Sequence, residues 1–266
     1  MTSAPPDTQP TADSGQQTGC YVYGILPGDA ELTEEVYGVG DRQVTLVRSG
    51  ELAALVSAVD LAGPLGTPQD FQAHKELLDS VVIGAPVLPL RFGAVLTSEN
   101  AVVAEFLDPY HDEFVKALED FEGQQEYVVK GRYVERAMLQ EVLTGDSEAA
   151  ALREQIRGKD PLATREERIR LGEIISGTVA AMRDEDTRSL LSRLAGHCTA
   201  SFVRDPTHEL DAVHVALLVA EREAEAAEQS IDELAAEWEG QVDVRLLGPM
   251  APYDFVSIRQ PDSEPT

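Results

Sequence analysis

The side chains that could carry chemistry in this chain are five histidines and two cysteines, set among 48 acidic residues. Adjacent residues on a strand face opposite sides, so His197 and Cys198 cannot readily chelate one ion. None of the histidines has metal-ligand spacing with a second histidine or with a cysteine; they are His74, His111, His197, His208 and His214. We interpret them as isolated surface or packed residues, and we expect no metal and no other cofactor.

Other catalytic patterns are missing from the sequence as well. It contains no Gly-x-Gly-x-x-Gly, no phosphate-binding Gly-Lys-Ser/Thr loop and no Gly-x-Ser-x-Gly elbow. Acidic pairs occur everywhere because of the composition, so none can be assigned a general acid or base role. A hydrolase would need a nucleophile–base pair that we cannot name, and we expect a protein that is not an enzyme. Cys20 and Cys198 form no disulfide framework and are interpreted as packed thiols.

The net charge of the chain argues against some classes of binding partner. Its 266 residues include 21 Lys and Arg against 48 Asp and Glu, a formal net charge of −27. Binding to nucleic acid or to anionic lipid needs Lys/Arg patches, so we expect neither partner. No apolar run approaches the length of a membrane span, and no signal peptide is recognisable. We therefore expect a cytoplasmic protein without membrane insertion.

The elements that position these side chains indicate an α+β protein of two domains. Residues 1–18 are polar and read as a disordered tail. An N-terminal α+β domain follows over residues 19–122. It comprises a strand at Cys20–Leu26, a hairpin over Val44–Val59, a helix opened by Thr67-Pro68, and a helix capped by Ser98 with a kink or break at Pro109.

A C-terminal domain is predicted over residues 123–248, followed by an extended tail over 249–266. Its order is strand, helices, strand, strand, helix, strand, which is the ferredoxin-like βαββαβ arrangement with an enlarged helical crossover. In the crossover, Thr164 has the form of a capping box, and Leu190, Leu191 and Leu194 suggest a separate short helix. The last strand is expected at Val242–Leu247.

Two features of this domain leave alternatives open. The Glu-rich helix over residues 221–239 carries a narrow apolar stripe, which either packs on the sheet or leaves an acidic face for docking a basic partner. The exit Gly248-Pro249-Met250-Ala251-Pro252-Tyr253 is either a chain reversal or an exposed Pro/aromatic patch that binds another protein.

The run Pro86–Leu96 is the most apolar stretch, with Arg91 as its single charge. Such a run favours a strand buried on both faces, although Pro89 cannot donate to a ladder and indicates an irregularity. Arg91 must reach the surface or pair with an acidic residue. We expect a core strand in which Arg91 pairs with an acid near residues 76–79 or 99–113, so that its removal lowers stability.

Four stretches together resemble the gas vesicle protein F/L family (GvpF/GvpL) over about residues 19–258. They are Tyr21-Val22-Tyr23-Gly24-Ile25, the run Val87–Gly93 with His74 upstream, Glu126-Tyr127-Val128-Val129-Lys130, and Leu247–Phe255. Met250 and Ala251 depart from the Trp and Pro usual in the family's exit, and Tyr127 replaces its usual Trp. The motif residues are Pro89, Arg91, Phe92, Gly93, Lys130, Gly248, Pro249, Pro252, Tyr253 and Phe255.

The resemblance implies a non-enzymatic accessory protein of gas vesicle assembly. It implies binding to the hydrophobic shell protein (GvpA) and to other accessory proteins, which prevents aggregation during nucleation and formation. It also implies a minor vesicle-associated component with two α+β domains, the second a modified ferredoxin-like one, and no small-molecule substrate. The alternative is a regulatory module that binds a small molecule in the ferredoxin-like domain, which rests on fold analogy alone.

Overall fold

The chain folds into an α+β structure, which confirms the predicted fold class. The computed structural model describes residues 18–32, 35–61, 63 and 65–257. These residues form two compact units, the first from 18–77 and 90–111 and the second from 78–89 and 112–257. The predicted N-terminal tail, apart from Thr18, and the last part of the predicted C-terminal tail lie outside the described residues. The predicted domain boundary after residue 122 stays a prediction.

Both units combine strands and helices. In chain order, the strands of the described residues are β1 (Thr18–Pro27), β2 (Val44–Ser49), β3 (Leu52–Asp60), β4 (Leu88–Pro89), β5 (Val95–Leu96), β6 (Gln124–Tyr133), β7 (Ala200–Val203), β8 (Asp211–Ala220) and β9 (Val242–Met250). The helices are α1 (Pro68–Val81), α2 (Glu99–Ala101), α3 (His111–Asp120), α4 (Glu135–Gly145), α5 (Ser147–Ile156), α6 (Arg165–Leu194) and α7 (Ala224–Glu237).

The first unit is built on an antiparallel sheet in the order β2–β3–β1, with β5 also paired to β1. The central strand β1 is buried along nearly its whole length, as an apolar run with neighbours on both sides requires. The predicted hairpin is β2–β3. The predicted start of α1 is confirmed. The Thr67 backbone N–H donates to the Asp70 carboxylate, the Asp70 backbone N–H donates to the Thr67 hydroxyl, and Pro68 occupies the first helical position.

The second helical region of this part of the chain also begins and breaks as predicted. The Ser98 hydroxyl accepts a hydrogen bond from the backbone N–H of Ala101 at 3.2 Å, so Ser98 is the N-cap of α2. The helical path continues after α2 as a π-helix (Val102–Leu107). At Pro109, which cannot donate a backbone hydrogen bond, it passes through a 3-10 turn (Asp108–Tyr110) before α3 begins.

The second unit contains a four-stranded antiparallel sheet in the order β7–β8–β6–β9. Chain order and sheet order together give the predicted βαββαβ arrangement, with α4, α5 and α6 in the first crossover. The stripe of α7 is buried against the sheet through Ala227, Ile231 and Leu234, in one core with the inward residues of β6 and β8. The packing interpretation of this helix is therefore confirmed.

Two predictions about the crossover are wrong. The residues from Arg165 to Leu194 form one continuous helix rather than two, because Leu171, Val179, Leu190 and Leu194 all reach a core from the same helix. Thr164 precedes this helix but forms no capping hydrogen bond. Its hydroxyl instead donates to the Asp160 carbonyl and accepts from Arg168 Nε, both at 3.1 Å.

Two predictions about strands are also wrong. The run Pro86–Leu96 is not one strand, because β4 and β5 are two residues each and a turn at Phe92-Gly93 separates them. Gly93 has φ +96°, a conformation that favours glycine. The last strand does not end at Leu247 but continues to Met250, which pairs with Glu126. None of the helices in the described ranges is both long and apolar enough to span a membrane.

Candidate functional site

The ten motif residues separate into two groups in the structure. Arg91, Phe92 and Gly93 lie in the first unit, beside β1 and α1. Pro89 is buried in β4, which belongs to the second unit. The others lie on the second sheet or on the segment that leaves it; they are Lys130, Gly248, Pro249, Pro252, Tyr253 and Phe255.

The first group is fixed by a buried network around Tyr21 and His74. His74 Nδ1 lies 2.9 Å from the Tyr21 hydroxyl, and His74 Nε2 lies 3.1 Å from the Leu90 carbonyl oxygen. The carbonyl can only accept, so Nε2 carries the proton and Nδ1 accepts from Tyr21. The Tyr21 oxygen in turn accepts the backbone N–H of Gly93 at 3.1 Å. Thus one histidine on α1 and one tyrosine on β1 hold both ends of the turn that carries Arg91 and Phe92.

The electrostatics of this network favour the neutral histidine. His74 is almost fully buried, and burial lowers its pKa to about 4 despite the hydrogen bond to Leu90. Burial also raises the pKa of Tyr21 above its usual range. Both groups therefore stay uncharged near neutral pH, which suits a structural hydrogen-bond network in an aromatic core.

Aromatic rings extend from this network to the surface. Phe92 lies edge-on to Tyr21 and to His74, with ring centroids 5.8 and 5.7 Å apart. On its other side Phe92 packs against Phe71, with centroids 4.0 Å apart. Phe71 is 51% exposed. We call Phe71 and Phe92 the aromatic patch.

Arg91 lies at the surface, so burial does not force it to find an acidic partner. Of the two outcomes that the sequence allowed, the structure realises the exposed one. The expectation that Arg91 lies in a core strand is therefore wrong, and its exposure makes us expect a smaller loss of stability on its removal. Pairing of Arg91 with a particular acidic residue stays a prediction.

The second group surrounds the exit segment, which we define as Met250–Val256. Ala251 and Pro252 are buried, while Tyr253 and Phe255 are partly buried. Phe255 packs on Val128 and Ala216, on the face of the sheet opposite the helices. The Ala251 N–H donates to the Asp79 carboxylate at 3.2 Å. The segment therefore packs along the sheet rather than projecting as a Pro/aromatic patch.

A partly buried ion cluster fixes the exit segment at its centre. Arg204 Nη2 donates to Glu126 Oε1 at 2.9 Å, and Arg204 Nε donates to Asp254 Oδ2 at 2.5 Å. The other Glu126 oxygen accepts the backbone N–H of Asp254 at 3.0 Å. Burial raises the pKa of Glu126 to about 7, and the nearby Asp254 charge adds to this increase.

Sequence reasoning missed this cluster and the Tyr21–His74 network. Glu126 precedes the apolar residues Tyr127-Val128-Val129, and this is a weak sequence signal of a buried acid. Nothing in the sequence indicates Arg204 as its partner. The two residues are 78 positions apart. Among the residues that the structure describes, no group of three or more His, Cys, Asp or Glu is arranged to hold a metal ion.

A cavity in the second unit bears on the small-molecule alternative. It measures about 140 Å³ and is lined by residues that include Tyr133, Glu141, Asp186 and Trp238. The Tyr133 hydroxyl donates to the Asp186 carboxylate at 2.6 Å, and burial raises the pKa of both groups. Ligand sites usually measure roughly 300–1,000 Å³, so this cavity does not favour the alternative.

The fold and the two groups of motif residues define an α+β protein. Its second unit has the ferredoxin-like βαββαβ arrangement, and the exit segment packs on the sheet of that unit. The family model described as "Gas vesicle synthesis protein GvpL/GvpF" matches residues 19–257, and the chain belongs to this family. The resemblance seen in the sequence is thereby confirmed.

Individual relatives agree with this assignment. The chain is 32% identical over 242 residues to gas vesicle protein F of Streptomyces sp. (strain CB03234), covering 89% of this chain and 98% of that protein. It is 29% identical over 265 residues to gas vesicle protein L of the same strain, covering 92% and 96%. Its fold matches the crystal structure of GvpF from Anabaena sp. PCC7120 with a TM-score of 0.76 at 23% identity, covering 91% of this chain and 99% of that chain.

Proposed function

We propose that this protein is a non-enzymatic accessory protein of gas vesicle assembly that binds the apolar shell protein. In this role it acts in the cytoplasm with other accessory proteins, limits aggregation during nucleation and formation, and remains a minor component of the vesicle. Family membership supports the gas vesicle role. The observation that carries the finer proposal is the aromatic patch, an apolar surface in a chain of net charge −27.

The physical argument combines the patch with the charge. A half-exposed phenylalanine stacked on a second ring offers apolar area to a partner, and burying such area stabilises a complex. A shell protein that assembles through apolar surfaces is prone to aggregate before assembly. Complexes that carry this chain's negative charge repel one another, which keeps the bound shell protein dispersed.

Co-expression with the shell protein tests the proposal. The soluble fraction of the shell protein and the yield of vesicles are measured with this chain, without it, and with a Phe71→Ser variant. We expect both quantities to fall without the chain. An unchanged soluble fraction and yield on its removal would overturn the proposed function.

Two variants test whether the shell protein binds at the aromatic patch, independently of whether the chain is required. Phe71→Ser removes exposed apolar area, whereas Ile169→Ser removes a similarly exposed apolar side chain from α6 and serves as the matched control. We expect the soluble shell protein to fall with Phe71→Ser and to stay unchanged with Ile169→Ser. If the chain is required but Phe71→Ser behaves like the control, the shell protein binds elsewhere.

A further inference from the structure

The outer face of the second sheet, which is the face opposite α6 and α7, carries two neighbouring rows of side chains. Val129, Val215 and Leu246 point into the helical core, so residues one position away along each strand point outward. One row runs across β7, β8, β6 and β9 as Phe202, Ala216, Val128 and Leu247. The next runs across β8, β6 and β9 as His214, Lys130 and Arg245. We call these the apolar row and the basic row.

The apolar row is open at both ends. Phe202 is 50% exposed and Leu247 is 48% exposed, while Phe255 of the exit segment packs on the two residues between them. The row therefore presents two separated apolar side chains with an aromatic ring of the chain's own exit segment in the middle. Such a surface can bury apolar side chains of a partner without any change in the sheet.

The basic row is unusual in a chain with more than twice as many acids as bases. Lys130 and Arg245 lie directly opposite each other on adjacent strands, an arrangement that destabilises a sheet when both are charged. Burial lowers the pKa of the neighbouring His214, and the charges of Arg204 and Lys130 add to this decrease, whereas the hydrogen bond to the Asp205 carbonyl and the charge of Asp211 act in the opposite direction. Two cationic side chains, Lys130 and Arg245, therefore lie side by side on this face.

Three acidic residues near this face are engaged with other cations or with backbone groups. Glu126 and Asp254 share Arg204, and the Asp211 carboxylate accepts from Thr207 and His208 and lies 3.6 Å from Arg132. Asp243 lies opposite Arg132. Lys130 donates to the Thr207 hydroxyl, and Arg245 forms no ion pair with any residue that the structure describes.

We infer that this outer face binds a segment of another protein in which acidic and apolar side chains line one side. Acidic groups would neutralise Lys130 and Arg245, and apolar groups would cover Phe202 and Leu247. The rows are about 7 Å apart, twice the rise per residue of a strand, so acidic and apolar residues of an extended segment reach both. This partner differs in chemistry from the apolar shell protein, and the surface is formed by other residues than the aromatic patch.

Fluorescence anisotropy with a labelled short peptide tests the inference on the full chain. The probe places Glu and Leu on one face, and a second peptide has Lys at every Glu position. We expect the Glu peptide to bind at least about tenfold more tightly than the Lys peptide, as two complementary contacts of roughly 0.7 kcal/mol each predict. Raising NaCl from about 50 to about 300 mM should weaken binding.

Two double variants and a matched control locate the site. Lys130→Glu with Arg245→Glu should weaken binding about tenfold, and Phe202→Ser with Leu247→Ser should weaken it severalfold. Arg153→Glu with Lys159→Glu changes the net charge equally on exposed residues around α5 and should leave binding unchanged. Thermal melting of each variant checks that it is folded.

Three outcomes would overturn the inference. The first is a Glu peptide that does not bind or binds no better than the Lys peptide. The second is an equal loss in the α5 control, which would indicate an effect of net charge. The third is a thymidine oligonucleotide that displaces the probe and binds the Phe202/Leu247 variant as well as the unmodified chain, which would indicate a polyanion site. None of these outcomes depends on shell-protein solubility, so the proposed function is tested separately.

Discussion

Arg204 donates a hydrogen bond to Glu126, a carboxylate with no solvent exposure, and the same guanidinium donates to Asp254 in the exit segment. One cation thus serves two acids, one on the central strand β6 and one on the chain that leaves β9. Because a buried carboxylate without a cation is costly, this contact ties the exit segment to the sheet. The two motif residues Tyr253 and Phe255 flank Asp254 and are positioned by it.

Removing the shared cation should destabilise the second unit. Arg204→Met leaves Glu126 and Asp254 without their common donor, and we expect a loss of ~3 kcal/mol in the free energy of unfolding above neutral pH. Arg204→Lys should recover part of this loss, since a lysine supplies the charge but not the two-pronged geometry. Chemical denaturation at about pH 8 measures both values. Equal stability of Arg204→Met and the unmodified chain would contradict the assignment.

Glu126 should give the stability a dependence on pH. Its pKa is about 7 in the folded chain against an ordinary value near 4.5, so the folded state binds the proton more tightly than the unfolded state. Its contribution is full below pH ~4.5 and is lost as the pH rises through ~7. Melting temperatures of the unmodified chain and of Glu126→Gln, measured from about pH 5 to about pH 8, should diverge over this range. Parallel curves would show that Glu126 does not titrate there.

His74 should give the stability the opposite dependence on pH. Its pKa is lowered to about 4 from an ordinary 6.5, so its contribution is present above pH ~6.5 and is lost as the pH falls through ~4. His74→Leu should remove this dependence of stability on pH. It also leaves the Tyr21 hydroxyl and the Leu90 carbonyl without their histidine partner in a buried site, which should lower the free energy of unfolding by ~2–3 kcal/mol. The exposed His208 is the control, and His208→Leu should cost under about 1 kcal/mol.

Gly248 should not tolerate a side chain. It has φ +136°, and a Cβ there would lie 2.9 Å from the Glu126 carbonyl oxygen and 2.9 Å from Tyr127. Gly248→Ala should therefore lower stability by more than about 1 kcal/mol. Gly177 in α6 has open space around it, so Gly177→Ala should raise stability by about 0.5–1 kcal/mol. Thermal melts of the two variants should move in opposite directions, and a tolerated Gly248→Ala would argue against this geometry.

Arg91 should matter little for stability. Its side chain lies at the surface, where ion pairs contribute roughly 0–1 kcal/mol, so Arg91→Met should change the free energy of unfolding by no more than about 1 kcal/mol. Denaturation of this variant, combined with shell-protein solubility in co-expression, separates two roles. If the variant keeps its stability but the shell protein becomes less soluble, Arg91 belongs to the surface that binds the shell protein. A large loss of stability of the variant would instead indicate a structural role for Arg91.

The sequence alone determined the α+β class, the βαββαβ order, the positions of most strands and helices, and the family. These properties are local: apolar periodicity, a capping serine, a Thr-Pro start and a proline break each act within a few residues. The stripe of α7 identified the side that packs on the sheet. Errors arose where local signals conflict with distant packing, as in α6, which continues through a polar stretch because both of its halves reach a core.

Only the tertiary structure decided which polar groups meet. Tyr21 reaches His74 across 53 positions and Arg204 reaches Glu126 across 78, and neither pair has a sequence signal because their partners are set by strand register and by the path of the chain. The same holds for the rows on the outer face. Lys130 and Arg245 become neighbours because β9 pairs with β6 in one register, and a shift by one residue would turn Arg245 into the core.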